Sequence, residues 1–279
     1  MNSPFRRAGR RVNVFVILLR FLTLIGIAYA VVVAALYVFQ AKLIFQPESL
    51  SAAYTFAFPG SFEERNVRIN GLPANSLLFR VPNARGSILY FHGNAGSLKS
   101  WGITGAELAR HTGFNIWIMD YPGYGKSSGS INSEAQLHAF AKQFYDTARR
   151  ELPGPLVIYG RSIGTGVAVR VASEHAVDGL ILESPYYGVR ELAAELLPWI
   201  PGVAVRFPLP SHTWIADVHS PILMMHGDDD EVIPFAQGRR LAAAAPAATF
   251  VAIPGGHHND LADFKMYWRA IDEFISRVR

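Results

Sequence analysis

The 279-residue chain contains no cysteine. That excludes a disulfide framework and a thiol nucleophile, and it leaves the redox compartment open. There is no internal repeat and no low-complexity tract. Residues 1–40 hold no acidic residue, although they hold five arginines: Arg6, Arg7, Arg10, Arg11 and Arg20. With those five set aside, 21 of the 26 basic residues face 22 acidic ones. The positive balance therefore belongs to the N-terminal segment and does not indicate a nucleic-acid-binding domain. Two further signatures are missing. Gly125-Lys126-Ser127 looks like the end of a phosphate-binding loop, but Asp120 stands where that motif requires glycine. His226, Asp228, Asp230, His257 and His258 have ligand chemistry without a metal-ligand spacing such as H-E-x-x-H, so no metal is expected.

A long apolar run opens the chain. Phe21 to Ala41 carries no charge, and Val12 to Leu19 extends the run upstream of Arg20. A helix needs about 20 apolar residues to cross a bilayer. Ala28-Tyr29-Ala30 resembles the cleavage site of a signal peptide, which is the alternative reading. The apolar character continues through Val31 to Phe39, past that site, and favours an uncleaved anchor. The layout expected is a basic cytoplasmic tail over 1–11, a transmembrane anchor over 12–41, a juxtamembrane connection over 42–60 and an α/β domain over 61–279. The arginines place the N-terminus in the cytoplasm and the domain on the far side, the periplasm in a bacterium.

The remainder alternates between strand and helix. Phe62–Arg68 and Ala74–Val81 read as a strand pair joined at Asn70-Gly71. Strands are expected over 87–92, 115–120, 155–160, 178–183, 221–226 and 248–253. Helices are expected over 99–112, 132–150, 163–176, 235–245 and 263–278. That order predicts one mostly parallel sheet with helices on both faces. Residues 185–211 break it with Tyr186-Tyr187, Leu196-Leu197-Pro198-Trp199-Ile200-Pro201 and Phe207-Pro208-Leu209-Pro210. This insertion reads as an apolar lid or membrane-leaning surface, or else as a connector whose aromatics bury against the sheet.

Gly160-Arg161-Ser162-Ile163-Gly164 stands between an apolar strand and a helix rich in small residues. The glycines allow a tight, strained turn that presents a serine hydroxyl. A nucleophilic serine needs a base, and the base needs an orienting acid. Downstream, a strand runs into His226-Gly227-Asp228-Asp229-Asp230, and a later one into Gly256-His257-His258-Asn259-Asp260. The order Ser, Asp, His matches neither the chymotrypsin nor the subtilisin arrangement. His111, His138, His175, His212 and His219 are scattered and carry no such pattern.

From about residue 60 onward the chain resembles the α/β-hydrolases. It looks closest to small membrane-anchored serine hydrolases of the depalmitoylase-like and serine-aminopeptidase-like kinds. The resemblance rests on Phe91-His92-Gly93-Asn94-Ala95-Gly96, on Asp120-Tyr121-Pro122-Gly123-Tyr124-Gly125 through Gly129, on the serine turn, on His226–Asp230, and on Gly256–Asp260. It implies an α/β-hydrolase fold with a small cap insertion over 185–211. It also implies a triad of Ser162, Asp230 and His258, with backbone N–H groups of Asn94 and Ile163 as the oxyanion hole. His257 occupies a position where the family has glycine, which makes it the alternative base. The expected function is hydrolysis of esters or thioesters, with a hydrophobic acyl group and no cofactor. A peptidase of the same fold, or a non-enzymatic binding protein tethered to the membrane, is the alternative. Labelling by a fluorophosphonate separates enzyme from binder.

Overall fold

The computed structural model describes residues 14–278. Arg6, Arg7, Arg10 and Arg11 lie outside the described residues. Helix α1, Val14–Ile44, opens the structure and runs three residues past the expected end at Ala41. At 1.5 Å per residue its 31 residues extend about 46 Å. None of its residues is buried, so it is one helix long and apolar enough to cross a membrane.

Eight strands form a single sheet: β1 Ser61–Ile69, β2 Leu72–Arg80, β3 Ser87–Phe91, β4 Asn115–Met119, β5 Leu156–Arg161, β6 Gly179–Glu183, β7 Ile222–Gly227 and β8 Thr249–Ile253. Their order is β8-β7-β6-β5-β3-β4-β2-β1, with β2 running opposite to the other seven strands of the sheet. The β1–β2 hairpin turns at Asn70 and Gly71, both at positive φ (49° and 79°), as the Asn-Gly pair predicts. β1 is one of the two edge strands, and Glu63, Glu64, Arg65 and Arg68 along it discourage pairing with another chain. The central strands β3, β5, β6 and β7 are buried on both faces, which explains their unbroken apolar sequences.

Helices cover both faces, as the alternation predicts. On one face lie α2, Leu98–Thr112, and α8, Lys265–Ile275, which pack through Leu98, Leu108, Tyr267 and Ile271. The other face takes α3, Glu134–Glu151, α4, Ile163–Glu174, and α7, Phe235–Ala244. Capping explains several boundaries. Ser97 caps α2 by accepting from the Lys99 N–H, and Gly113 ends it at φ 66°. Ser133 caps α3 in the same way through the Gln136 N–H.

Two regions differ from a simple connector. The segment after α1, expected as a juxtamembrane connection over 42–60, is laid across the domain as a strap. Gln46-Pro47 pairs in parallel with Ala95-Gly96, Ser49 bridges to Gly125, and Phe45 and Phe56 are buried. The cap between β6 and β7 holds α5, Val189–Leu196, and the short α6, Ser211–Trp214. Its inner aromatics Tyr186 and Phe207 are buried in the sheet-side core. Its outer residues Leu196, Leu197, Trp199 and Val203 remain exposed.

Candidate active site

β5 delivers its chain into a sharp turn at Ser162, whose backbone sits at φ 53°, ψ −123°. A non-glycine residue is rarely held there, and the surrounding structure must enforce it. The close approach falls on the flanking glycines. A Cβ on Gly160 would meet the Gly164 carbonyl at 2.5 Å, and one on Gly164 would overlap the Phe91 carbonyl. The turn is locked by the Ser162 N–H donating to the Glu183 carbonyl (2.9 Å) and by Thr165, whose N–H and hydroxyl both donate to the Ser162 carbonyl.

The loop after β7 carries Asp230, and the loop after β8 carries His258. His258 Nδ1 lies 2.8 Å from Asp230 Oδ2, and His258 Nε2 lies 3.0 Å from Ser162 Oγ. With Nδ1 protonated toward the carboxylate, Nε2 is left to accept the serine proton. Asp230 Oδ1 accepts from the Val232 and Ile233 N–H groups at 2.9 and 2.8 Å, which fixes its orientation. Burial alone would raise its pKa. Hydrogen bonds from His226, His258 and the Ile233 N–H outweigh that and hold the carboxyl well below the usual range.

The neighbouring candidates go elsewhere. Asp228 accepts from the Gly255 N–H at 2.7 Å, Asp229 is exposed, and His257 is exposed and pairs with Glu231 at 3.3 Å. His111, His175 and His212 stack on Trp268, Tyr145 and Tyr187.

Ile163 is the first residue of α4, so its N–H has no intrahelical partner and sits at the positive end of the helix. Asn94 follows β3 in a loop that passes the serine: a Cβ on Gly93 would lie 3.8 Å from Ser162 Cβ. The Asn94 carbonyl accepts from the Tyr124 hydroxyl at 2.6 Å and from the Gln46 N–H at 2.9 Å. Its own N–H has no hydrogen-bond partner among the described residues. Beneath this loop His92 and Asp120 are fully buried, 3.7 Å apart. Burial lowers the His92 pKa to about 4 and raises that of Asp120 to about 8, so both are neutral near pH 7.

Sequence reasoning missed one group here. Arg161 lies between Gly160 and Ser162, and its guanidinium donates to the His258 carbonyl (3.2 Å) and to Asn259 Oδ1 (3.1 Å). Its partner Glu183 lies on the adjacent strand in direct register. No signal in the sequence links the two. His226 bonds the Ile233 carbonyl at 2.9 Å and also lies 3.3 Å from Asp230.

A family profile described as alpha/beta hydrolase fold matches residues 86–209. The alpha/beta hydrolase domain-containing protein aho-3 of Caenorhabditis elegans is 31% identical over 216 residues, which cover 72% of this chain and 61% of that protein. An uncharacterized protein of Mycobacterium tuberculosis is 32% identical over 198 residues, covering 69% of this chain and 70% of that one. The chain thus spans about three fifths of the length of its nematode relative. Among solved structures, an esterase from Pyrococcus furiosus superposes with a TM-score of 0.67 at 15% identity, covering 84% of this chain and 98% of that one. At that identity the likeness speaks for the fold alone.

Proposed function

From the chain's membership of the α/β-hydrolase fold family, we propose that it is a membrane-anchored serine hydrolase acting on carboxylic esters or thioesters with hydrophobic acyl groups. The observation that carries this reading is the unbroken hydrogen-bonded line from Ser162 Oγ through His258 to Asp230, at 3.0 and 2.8 Å.

The geometry lends itself to the following cycle. His258 Nε2 takes the Ser162 proton as Oγ attacks the substrate carbonyl. Asp230, kept anionic by the donors around it, holds the Nδ1 tautomer and stabilises the imidazolium. The N–H groups of Ile163 and Asn94 receive the negative charge on the carbonyl oxygen, each donor being worth about 3–4 kcal/mol. Collapse of this intermediate expels the alcohol or thiol, which takes its proton from His258. Water, deprotonated by His258, then attacks the acyl-enzyme, and Ser162 is regenerated as the acid leaves.

In this reading α1 is the anchor. Its apolar length supports a single span, and the arginines before residue 12 favour a cytoplasmic N-terminus with the triad on the opposite side, periplasmic in a bacterium. Tethering concentrates the enzyme where lipid-like esters are found. Each further methylene buried in an acyl site adds about 0.8 kcal/mol, so kcat/KM should climb from acetyl to octanoyl esters. The principal test is Ser162→Ala in the full chain. It should abolish fluorophosphonate labelling and p-nitrophenyl ester hydrolysis while the protein stays folded. Wild-type turnover in that variant would remove Ser162 from the mechanism.

A further inference from the structure

The cap does not stop at the domain. It reaches back along α1. The Gln40 side chain donates to the Ala204 carbonyl at 3.0 Å and accepts from the Arg206 N–H at 2.6 Å. Eleven residues earlier on the same helix, the Tyr29 hydroxyl donates to the Trp199 carbonyl at 2.8 Å. Those two levels on α1 are about 16 Å apart. The cap tip therefore projects away from the domain, alongside the apolar helix, by roughly half the thickness of a bilayer's hydrocarbon core.

The composition of the tip matches that depth. Residues 196–205 carry no charge, and they are bracketed by Glu195 and Arg206. Both brackets are held away from the tip: Glu195 by the Gln237 side chain at 2.5 Å, Arg206 by backbone carbonyls of Tyr37, Val38 and Asn132. Leu196, Leu197, Trp199 and Val203 are exposed, Val203 to 89%. Such a cluster in water is unfavourable, whereas in hydrocarbon it is matched. The Tyr29 hydroxyl would be unsatisfied in lipid, and the Trp199 carbonyl satisfies it.

We propose that the cap tip, residues 196–204, is immersed in the acyl-chain region of the bilayer leaflet beside α1. The inference rests on α1 being the transmembrane anchor. Its occupant is lipid hydrocarbon, because the tip is continuous with a helix whose own exposed surface has no other solvent in which it is stable. The immersed cap also adjoins the site: Phe207 follows it and packs on Phe45 at 5.3 Å, one residue before Gln46 of the strap that pairs beside Asn94.

The absence of cysteine permits a direct test in the full chain reconstituted in phosphatidylcholine vesicles. Single variants Val203→Cys, Leu197→Cys, Leu24→Cys and Val232→Cys each receive an environment-sensitive fluorophore. Quenching by doxyl-labelled lipid is compared with quenching by aqueous iodide. Labels at 197 and 203 should be quenched several-fold more by doxyl lipid than by iodide, like the anchor position 24 and unlike position 232 on the domain surface. Iodide access at 197 and 203 with lipid quenching at 24 would overturn the immersion and leave the anchor standing. Shielding of 197 and 203 from both quenchers would overturn it in favour of a protein partner. Iodide access at 24 would overturn the anchor itself, and the immersion with it.

Discussion

Arg161 and Glu183 occupy the same rung of the sheet at the ends of β5 and β6, and their side chains close a buried ion pair of 3.0 Å. Glu183 also accepts from the Tyr159 hydroxyl at 2.6 Å and the Tyr267 hydroxyl at 3.1 Å, while Arg161 holds the His258 main chain. The serine turn, the adjacent strand and the histidine loop are thereby joined through one guanidinium.

Removing one member of such a pair leaves the other charge buried without compensation, which costs about 3–5 kcal/mol. Glu183→Gln should therefore lower unfolding free energy by an amount near the low end of that range, read from urea transitions. Arg161→Lys keeps a charge but loses the planar fork that reaches both Glu183 and the His258 loop. Its kcat should fall about tenfold with little change in KM, because misplacing the base by a fraction of an ångström acts on the transition state. A change confined to KM would show that Arg161 does not position His258.

The adjacent residues in the loops after β7 and β8 give a sharp comparison. Asp230→Asn and His258→Ala should lower kcat by about 10⁴. Asp228→Asn, Asp229→Asn and His257→Ala should stay close to wild type, since their side chains face the Gly255 N–H, water and Glu231. An inactive His257→Ala beside an active His258→Ala would mean that the histidine loop works one residue out of register.

What could be read from the sequence was what is local. Val157, Ile158 and Tyr159 ahead of Gly160 specify a buried strand and a tight turn with no distant information. Asn70-Gly71 specifies a hairpin for the same reason. The choice of Asp230 and His258 over their neighbours came from resemblance, and nothing in their immediate surroundings distinguishes them. The strap over 45–58 was illegible, because its pairing with Ala95-Gly96 is a tertiary contact with no periodicity of its own. The same holds for Arg161 with Glu183 and for Tyr29 with Trp199, which meet across 22 and 170 positions. The cap could be detected only as an interruption of the alternation.

The strap links helix α1 to the candidate site through the Asn94 peptide, whose carbonyl is held by the Gln46 N–H and the Tyr124 hydroxyl. Tyr124→Phe removes the second donor without changing shape. Stability should drop by about 1 kcal/mol. If the peptide N–H serves the oxyanion, kcat should also fall severalfold and KM remain near wild type. Gln46→Pro deletes the first donor and should act in the same direction. Unchanged kcat in both variants would argue against Asn94 as an oxyanion donor.

The last prediction concerns the buried pair under that loop. Asp120 titrates near 8 in the folded protein against an ordinary value of 3.8, raised by burial against the opposing Leu98 N–H. The folded state therefore binds a proton that the unfolded chain has lost, and stability declines as pH rises from about 4 to 8. His92, lowered by burial to about 4 from 6.5, has the opposite sense: its contribution rises with pH between those two values. The two oppose each other up to pH 6.5, and above that only Asp120 slopes. Asp230 is ionised throughout, so its contribution is constant there. His257, raised by its bond to Glu231, slopes the same way as Asp120 just above 6.5, so the measurement belongs in a His257→Ala background. Urea unfolding there should show a loss of about 1–2 kcal/mol from pH 6.5 to 8. Adding Asp120→Asn, which keeps a neutral group of the same shape, should flatten that slope. A slope that survives the amide would mean that Asp120 is ionised in the fold and that burial does not dominate its titration.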